Sequence, residues 1–530
     1  MSSKKGPMAA ALVAAFASSL AARGVCAAAS CAATGAAGGE WRSYGHDYSN
    51  TRNQPEEKTI GTQQAATLGE LWSKSASGWG GKGDFPGTPV IADGCVYVGS
   101  TAGSVFAANA DTGELVWRHD FPEGGATYGS VAVEGGRVFV GLSNAGSPSH
   151  LKIAALDQTT GAEVWKTEVD NQTSSEIYSS AVFFDGMVIM GVSGGAAELS
   201  TESVRDAFHG NIVILDAATG GTVINEKIYT VPLGDKDPSG NDYAGGGVWA
   251  PTPAIDPVTK YGYFSVGNPF NEQFQHPNTD AVVKVDLDNT NSRGTFATIV
   301  GRYPGTVDKY YPQSNSLPCV AFPASIYPRG LGACADLDLD FGTSPNIFSA
   351  NGRQLVGAGQ KSGVYHAFEP AVQADGTMKQ AWTALVGLPS AVGGIVGSAT
   401  FDGAAISGPI TQLGYLWSVN ATDGLYRWLA PVIDGAHYGQ PVTSANGIVY
   451  TVDLKGFLDA YDGATGVPLL HRPMALGSLT GSAPLKSDPI LSLGGVAVAR
   501  NTVYASVGTI GALNGYIIAY RPAALPILAP

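Results

Sequence analysis

Residues 333–345, ACADLDLDFGTSP, alternate Asp336, Asp338 and Asp340 with Leu337 and Leu339. On a strand this puts the three carboxylates on one face and the leucines on the other. Like charges held side by side are costly unless a cation or water offsets them. Such a row suits cation binding or proton transfer. An EF-hand also begins D-x-D-x-D, but the sixth position here is Phe341 instead of Gly and the twelfth is Ile347 instead of Glu, which excludes that loop.

The chain that must position these groups has 530 residues, of which 71 are Gly and only 14 % are charged. That composition suits many short strands joined by tight turns. The net charge of −14 makes a phosphate backbone an unsuitable partner. No apolar run after the N-terminus reaches the roughly 18 residues needed to span a membrane. The N-terminus itself has Lys4 and Lys5, an alanine-rich apolar run and then small residues. This is the layout of a secretory signal, expected over 1–29, with cleavage near Ala28 to Ser30. Of the five cysteines, Cys26 is expected to leave with the signal, while Cys31 stands at its edge and is left open. Cys95 reads as a small buried hydrophobe. In an oxidising compartment Cys319 and Cys334 are expected to pair across one irregular loop.

A unit recurs along the chain: strand, turn with Gly, second strand, then a third strand leading to Asp and Thr-Gly. GTPVIADGCVYVGSTAGSVFAANADTGELVW is the clearest of about eight copies, at spacings of about 40 to 60 residues. Asp-Gly and Asn-Gly supply the positive φ angles of tight hairpins. Trp117, Trp165 and Trp428 follow the Thr-Gly or Asp-Gly turns and are expected to pack between neighbouring units. Stacking four-stranded sheets in a ring buries both faces of each. The expected fold is therefore all-β: one β-propeller over 40–525, with eight blades and seven as the alternative count. GELWSKSA and GYIIAYRP are expected to close the ring.

These tryptophan-docking repeats resemble the quinoprotein alcohol dehydrogenases, and are most similar to their polyvinyl alcohol dehydrogenase-like branch. The resemblance runs from WRSYGHDYSNTR to the C-terminus, and four segments sharpen it. In YAGGGVWAPTPAIDPVTKYGYFSVGNP, Trp249 stands where the family lays pyrroloquinoline quinone (PQQ) on an indole, and Asn268 where it places a calcium ligand. In VSGGAAELSTES, Glu198 matches the family's glutamate ligand, although the run is longer by a residue or two. Ser179 and Ser193 match small hydroxyls on the quinone carboxylates. Leu339-Asp340-Phe341 matches the family's Trp-Asp-Tyr, making Asp340 the implied catalytic base and a neighbour of the cation. In GAGQKSGVYHAFEP, Lys361 matches the cation that touches the quinone oxygens.

Without the resemblance Trp249 reads as a core tryptophan, Asn268 as a turn residue, Glu198 as a solvated loop carboxylate and Lys361 as an exposed hairpin lysine. With it they imply an alcohol substrate, PQQ and calcium, secretion or a periplasmic location, and a separate electron acceptor such as a cytochrome c, since no Cys-x-x-Cys-His occurs. The chain departs from the family in GGATYGSVAVEGG, which has neither the adjacent cysteines nor the arginine expected there. The alternative reading is a non-enzymatic propeller acting as an envelope scaffold. No role is assigned to His366 or His437.

Overall fold

The computed structural model describes residues 29–198, 200–224, 227–270, 274–306, 339–389, 393–411, 414–432, 437, 439–474, 494–508 and 515–523. The described strands form eight sheets, each with a core of antiparallel strands; one of them also takes Asn53–Gln54, in parallel, beside Thr443–Ala445. Seven blades follow chain order at 90–120, 132–170, 182–229, 254–304, 346–385, 400–431 and 443–473. The eighth joins Val496–Ala499, Thr502–Val507 and Tyr516–Pro522 to Leu68–Ser75 near the other end of the chain. Leu68 pairs with Pro522 and Ser75 with Tyr516, so the two segments expected to close the ring do close it.

The turns follow from their residues. Asp93-Gly94 and Asn446-Gly447 hold positive φ at both positions (48° and 80°, 47° and 79°), as two-residue hairpin turns require. The Asp-x-x-Thr-Gly segments are built by the aspartate. Asp157 Oδ1 accepts the Thr159 and Thr160 amides at 3.1 and 2.9 Å and the Thr160 hydroxyl at 2.8 Å. Those bonds hold the Asp157 carboxyl below its ordinary pKa.

The tryptophans lock the blades together. Trp117 Nε1 donates to Gln158 O of the next blade at 2.9 Å, and a Cβ on Gly161 would sit 2.5 Å from its ring. Only glycine fits under that indole. Trp165 on Ala217 O and Trp428 on Gly463 O repeat the arrangement, as expected. Trp72 and Trp382 make the same contact, on Ala110 O and Ala421 O, and were not picked out from the sequence.

Two features differ from the expectation. Cys31 and Cys95 form a disulfide. Cys95 is thus not a free buried thiol, and Cys31 ties residues before the propeller to blade 1. Cys319, Cys334, Asp336, Asp338 and residues 1–28 lie outside the described residues.

The second feature is a thread. Residues 38–54 run across the inner strands around the ring. Trp41 bridges Ile91, Arg42 O accepts from Val133, Tyr48 O from Ile255, Ser49 O from Ile347, Thr51 O from Phe401 and Arg52 O from Ser444. Gly38 O and Gly39 O take the Arg500 amide of blade 8. Tyr48 also packs its ring against Phe184 of blade 3. All eight inner edges are therefore tied by one short segment. Arg52, fully buried, reaches Val442 O, Thr443 Oγ1, Val496 O and Tyr44 O, and its guanidinium lies over the Tyr44 and Trp41 rings.

Candidate active site

Each candidate side chain sits either just before an inner strand or just after the second strand of a blade. In an antiparallel hairpin those two places are at the same end. Trp249 precedes Ala254–Asp256 and Asn268 follows Tyr261–Ser265, both in blade 4. Asp340 precedes Asn346–Ala350, and Lys361 is in the turn after Arg353–Gly359, both in blade 5. Ser193 and Glu198 follow Met187–Val192 of blade 3, with Glu198 ending the helical turn Gly195–Glu198.

Three of these side chains touch. Trp249 Nε1 donates to Asp340 Oδ2 at 2.6 Å. Lys361 Nζ lies 2.8 Å from Asp340 Oδ1, and 5.1 Å from the centroid of the Trp249 ring. The Asp340 and Lys361 side chains are only 4 % and 6 % exposed, so the exposed-hairpin reading of Lys361 does not hold. A buried carboxylate and ammonium require each other. The Lys361 amide also donates to Asp340 O at 3.0 Å, which fixes the two segments together.

A second pair lies beside the first. Asn268 Nδ2 donates to Glu198 Oε1 at 3.0 Å. Gly267 joins the pairs: a Cβ there would lie 3.2 Å from Trp249 Cδ1 and 3.3 Å from Asp340 Oδ2. Gly342 lies closer still to the indole, where a Cβ would be 2.5 Å from Trp249 Cη2. Ser193 Oγ faces Gly247, 3.2 Å from where its Cβ would be. Ser179 is buried, with its hydroxyl donating to Gly191 O at 2.8 Å and accepting the Gly191 amide at 3.1 Å. Those bonds fasten the strand of blade 3 next to Val248. Trp249, Asp340, Lys361, Asn268, Glu198 and Ser193 are thus gathered, while Ser179 supports the strand behind them.

Glu176 was missed from the sequence. Its carboxylate accepts the Tyr178 hydroxyl and, at 2.9 Å, the Ala196 amide. Burial raises its pKa above the ordinary carboxylate range. The available signal was its place in the repeat. Ser130 N–H donates to Ser180 Oγ, Thr252 N–H to Ser344 Oγ and Ser344 N–H to Ser398 Oγ, which puts these residues in one layer of the ring. Glu176 is four residues before Ser180, as Asp340 is four before Ser344.

Behind Lys361, Gln360 Oε1 accepts from the Thr306 amide and the Ser362 hydroxyl. His366 Nε2 lies 3.0 Å from that oxygen, and its Nδ1 3.1 Å from the Tyr303 hydroxyl. Gln360 Oε1 can only accept, so Nε2 carries the proton. Burial lowers the His366 pKa to about 4. A histidine depressed from its usual value stabilises the fold above that value and loses the contribution as pH falls through about 4. His366→Gln is expected to make unfolding less acid-sensitive between about pH 6.5 and pH 4, by about 3 kcal/mol across that window. Denaturant midpoints across that range check it.

Residues 56–250 match a family model described as the outer membrane protein assembly factor BamB. The chain is 26 % identical over 513 residues to a polyvinylalcohol dehydrogenase of Pseudomonas sp, covering 89 % of this chain and 73 % of that one. It is 27 % identical over 455 residues to the polyvinylalcohol dehydrogenase of Sphingopyxis sp, covering 78 % and 65 %. The chain is similar over most of its length to these two polyvinylalcohol dehydrogenases, as the resemblance read from its motifs leads one to expect. The quinohemoprotein alcohol dehydrogenase of Comamonas testosteroni superposes with a TM-score of 0.65 at 17 % identity, over 93 % of this chain and 82 % of that one, so the two share the eight-bladed fold. The departures from the family pattern at 124–136 stand. Tyr128 there packs against Tyr178 with ring centroids 5.3 Å apart, and Thr127 is buried.

Proposed function

We propose that the chain oxidises a primary, secondary or polymeric alcohol with PQQ and calcium, and passes the electrons to a separate acceptor such as a cytochrome c. The observation that carries this reading is the contact of Trp249, Asp340 and Lys361, joined through Gly267 to Asn268 and Glu198. The donor set fits the cofactors. Two carboxylates and a side-chain amide offer hard oxygen to calcium. With its Nδ2 on Glu198, Asn268 has Oδ1 left for a cation. The glycines at 267 and 342 let backbone approach the indole, which suits a stacked aromatic group.

In this reading Glu198, Asn268 and Asp340 hold calcium, and Trp249 carries the quinone. Bound there, PQQ supplies an acceptor for two electrons and calcium a Lewis acid. Asp340 takes the proton of the alcohol hydroxyl on a carboxylate oxygen. Lys361 offsets the carboxylate before that transfer and offers positive charge to the electron acceptor. Burial of the pair excludes water and strengthens both effects.

The chain is read as exported to the periplasm or outside the cell. No helix among the described residues is long and apolar enough to cross a membrane. The test is reduction of an artificial electron-accepting dye by the protein loaded with PQQ and calcium. Primary, secondary and polymeric alcohols are the substrates. Alcohol-dependent reduction that needs both additions is expected. No reduction with any of the three classes would reject the enzyme. A second reading, an envelope scaffold, is favoured by the match of residues 56–250 to an assembly-factor model. It gains support only from a folded protein that fails that assay.

A further inference from the structure

We infer that Glu176 is a positioning residue for the cation site, setting the places of Glu198 and Ser193 without itself binding the cation; this rests on the quinoprotein reading above. Its backbone and its side chain grip the same segment at two points. The Glu176 amide donates to Ser193 O at 2.8 Å and the Ser193 amide donates to Glu176 O at 2.9 Å. This isolated bridge lies beyond the strand ends, where the chain leaves blade 3. The side chain then reaches past Ser193 to accept the Ala196 amide in the turn that ends at Glu198.

The turn is anchored on its inner side by Ala197, buried with Phe208, Ala244 and Phe270, and its amide end is held by Glu176. It spans four residues, Gly195–Glu198, and a stretch that short is not stable in isolation. Within it the Glu198 amide donates to Gly194 O at 2.7 Å, and Ser200 Oγ donates to Ala196 O at 2.7 Å. The Glu176 carboxylate supplies the acceptor that an amide of the first turn requires. The Tyr178 hydroxyl on the same oxygen orients the carboxylate, and the Tyr178 ring is held by Tyr128. Gly195 leaves room for this arrangement: a Cβ there would lie 3.1 Å from the Tyr178 ring and 3.4 Å from Glu176 Oε2. The run here, Ser193-Gly-Gly-Ala-Ala-Glu198, is longer than the family pattern. Glu176 therefore holds a longer loop in register, so that its last residue meets Asn268.

Outer partners of metal ligands commonly change metal affinity by about 10- to 100-fold. The test titrates calcium into the full chain with PQQ present and follows tryptophan fluorescence, alongside thermal unfolding without calcium. Glu176→Ala is expected to raise the half-saturating calcium concentration at least about tenfold, with a small change in unfolding temperature. Glu176→Gln keeps an oxygen that accepts from Ala196, and is expected to stay within about threefold of the parent. Glu198→Ala, the ligand control, is expected to abolish the calcium response. An unchanged Glu176→Ala would overturn the inference. So would a Glu176→Gln as weak as Glu176→Ala, because the charge and not the hydrogen bond would then be acting. A parent protein showing no calcium-dependent PQQ binding would remove the quinoprotein reading and this inference with it, a result distinct from the other two.

Discussion

Asp340→Asn is expected to lower alcohol turnover by about a thousandfold while the protein still binds PQQ, the size of effect that loss of a general base produces. The geometry says why an amide cannot substitute. The carboxylate accepts on both oxygens, from Trp249 Nε1 at 2.6 Å and from Lys361 Nζ at 2.8 Å. An asparagine can accept from one of them, and then points its own N–H groups at the other. Lys361 would also be left buried without its counter-charge, which costs about 3–5 kcal/mol. The variant should therefore unfold at a lower denaturant concentration, and Asp340→Asn/Lys361→Met should recover part of that loss. Dye-linked turnover at saturating alcohol, with the denaturant midpoint, separates the two effects. Turnover within tenfold of the parent would mean that the proton goes elsewhere.

Arg52→Met carries the largest expected effect on stability, about 4 kcal/mol, which lies at the high end for a single substitution. Arg52 is fully buried, and its guanidinium ties the thread to blades 7 and 8. Val442 O would lose its 3.0 Å donor, and Tyr44 O its donor from the guanidinium. Each buried acceptor left unpaired costs about 1–3 kcal/mol. The Tyr44 ring would lose a cation 4.5 Å from its centroid. Arg52→Lys is expected to lose most of the same amount, because a single ammonium cannot fork to these acceptors. Equilibrium unfolding in guanidinium measures both variants, and a change under 1 kcal/mol would show that the thread does not stabilise the ring.

The blades were legible because each copies the same physical solution. Asp93-Gly94 must turn with two positive φ angles, and Gly161 must lie under Trp117 without a side chain. Such requirements write the same letters into each copy. Trp382 escaped because the turn before it uses Asp375-Gly376 in place of Asp-x-x-Thr-Gly, although its ring docks like the others. The thread has no period at all. WRSYGHDYSNTR meets one inner strand after another at uneven intervals, so no repeat could announce its partners. The Cys31–Cys95 bond joins residues 64 apart, one of them close to the expected signal cleavage, and spacing carries no connectivity. At the site, Trp249, Asn268, Asp340 and Lys361 were visible through the motifs they occupy. Glu176 was not, because its role depends on an amide 20 positions later that only folding brings to it.

The most direct test of the account is PQQ binding to the purified protein, read by quenching of tryptophan fluorescence, with and without calcium and with Trp249→Ala beside the parent. The account predicts saturable quenching that requires calcium and disappears in Trp249→Ala, while the variant remains folded. Equal quenching in the two proteins, or none in a folded parent at high micromolar PQQ, would contradict it.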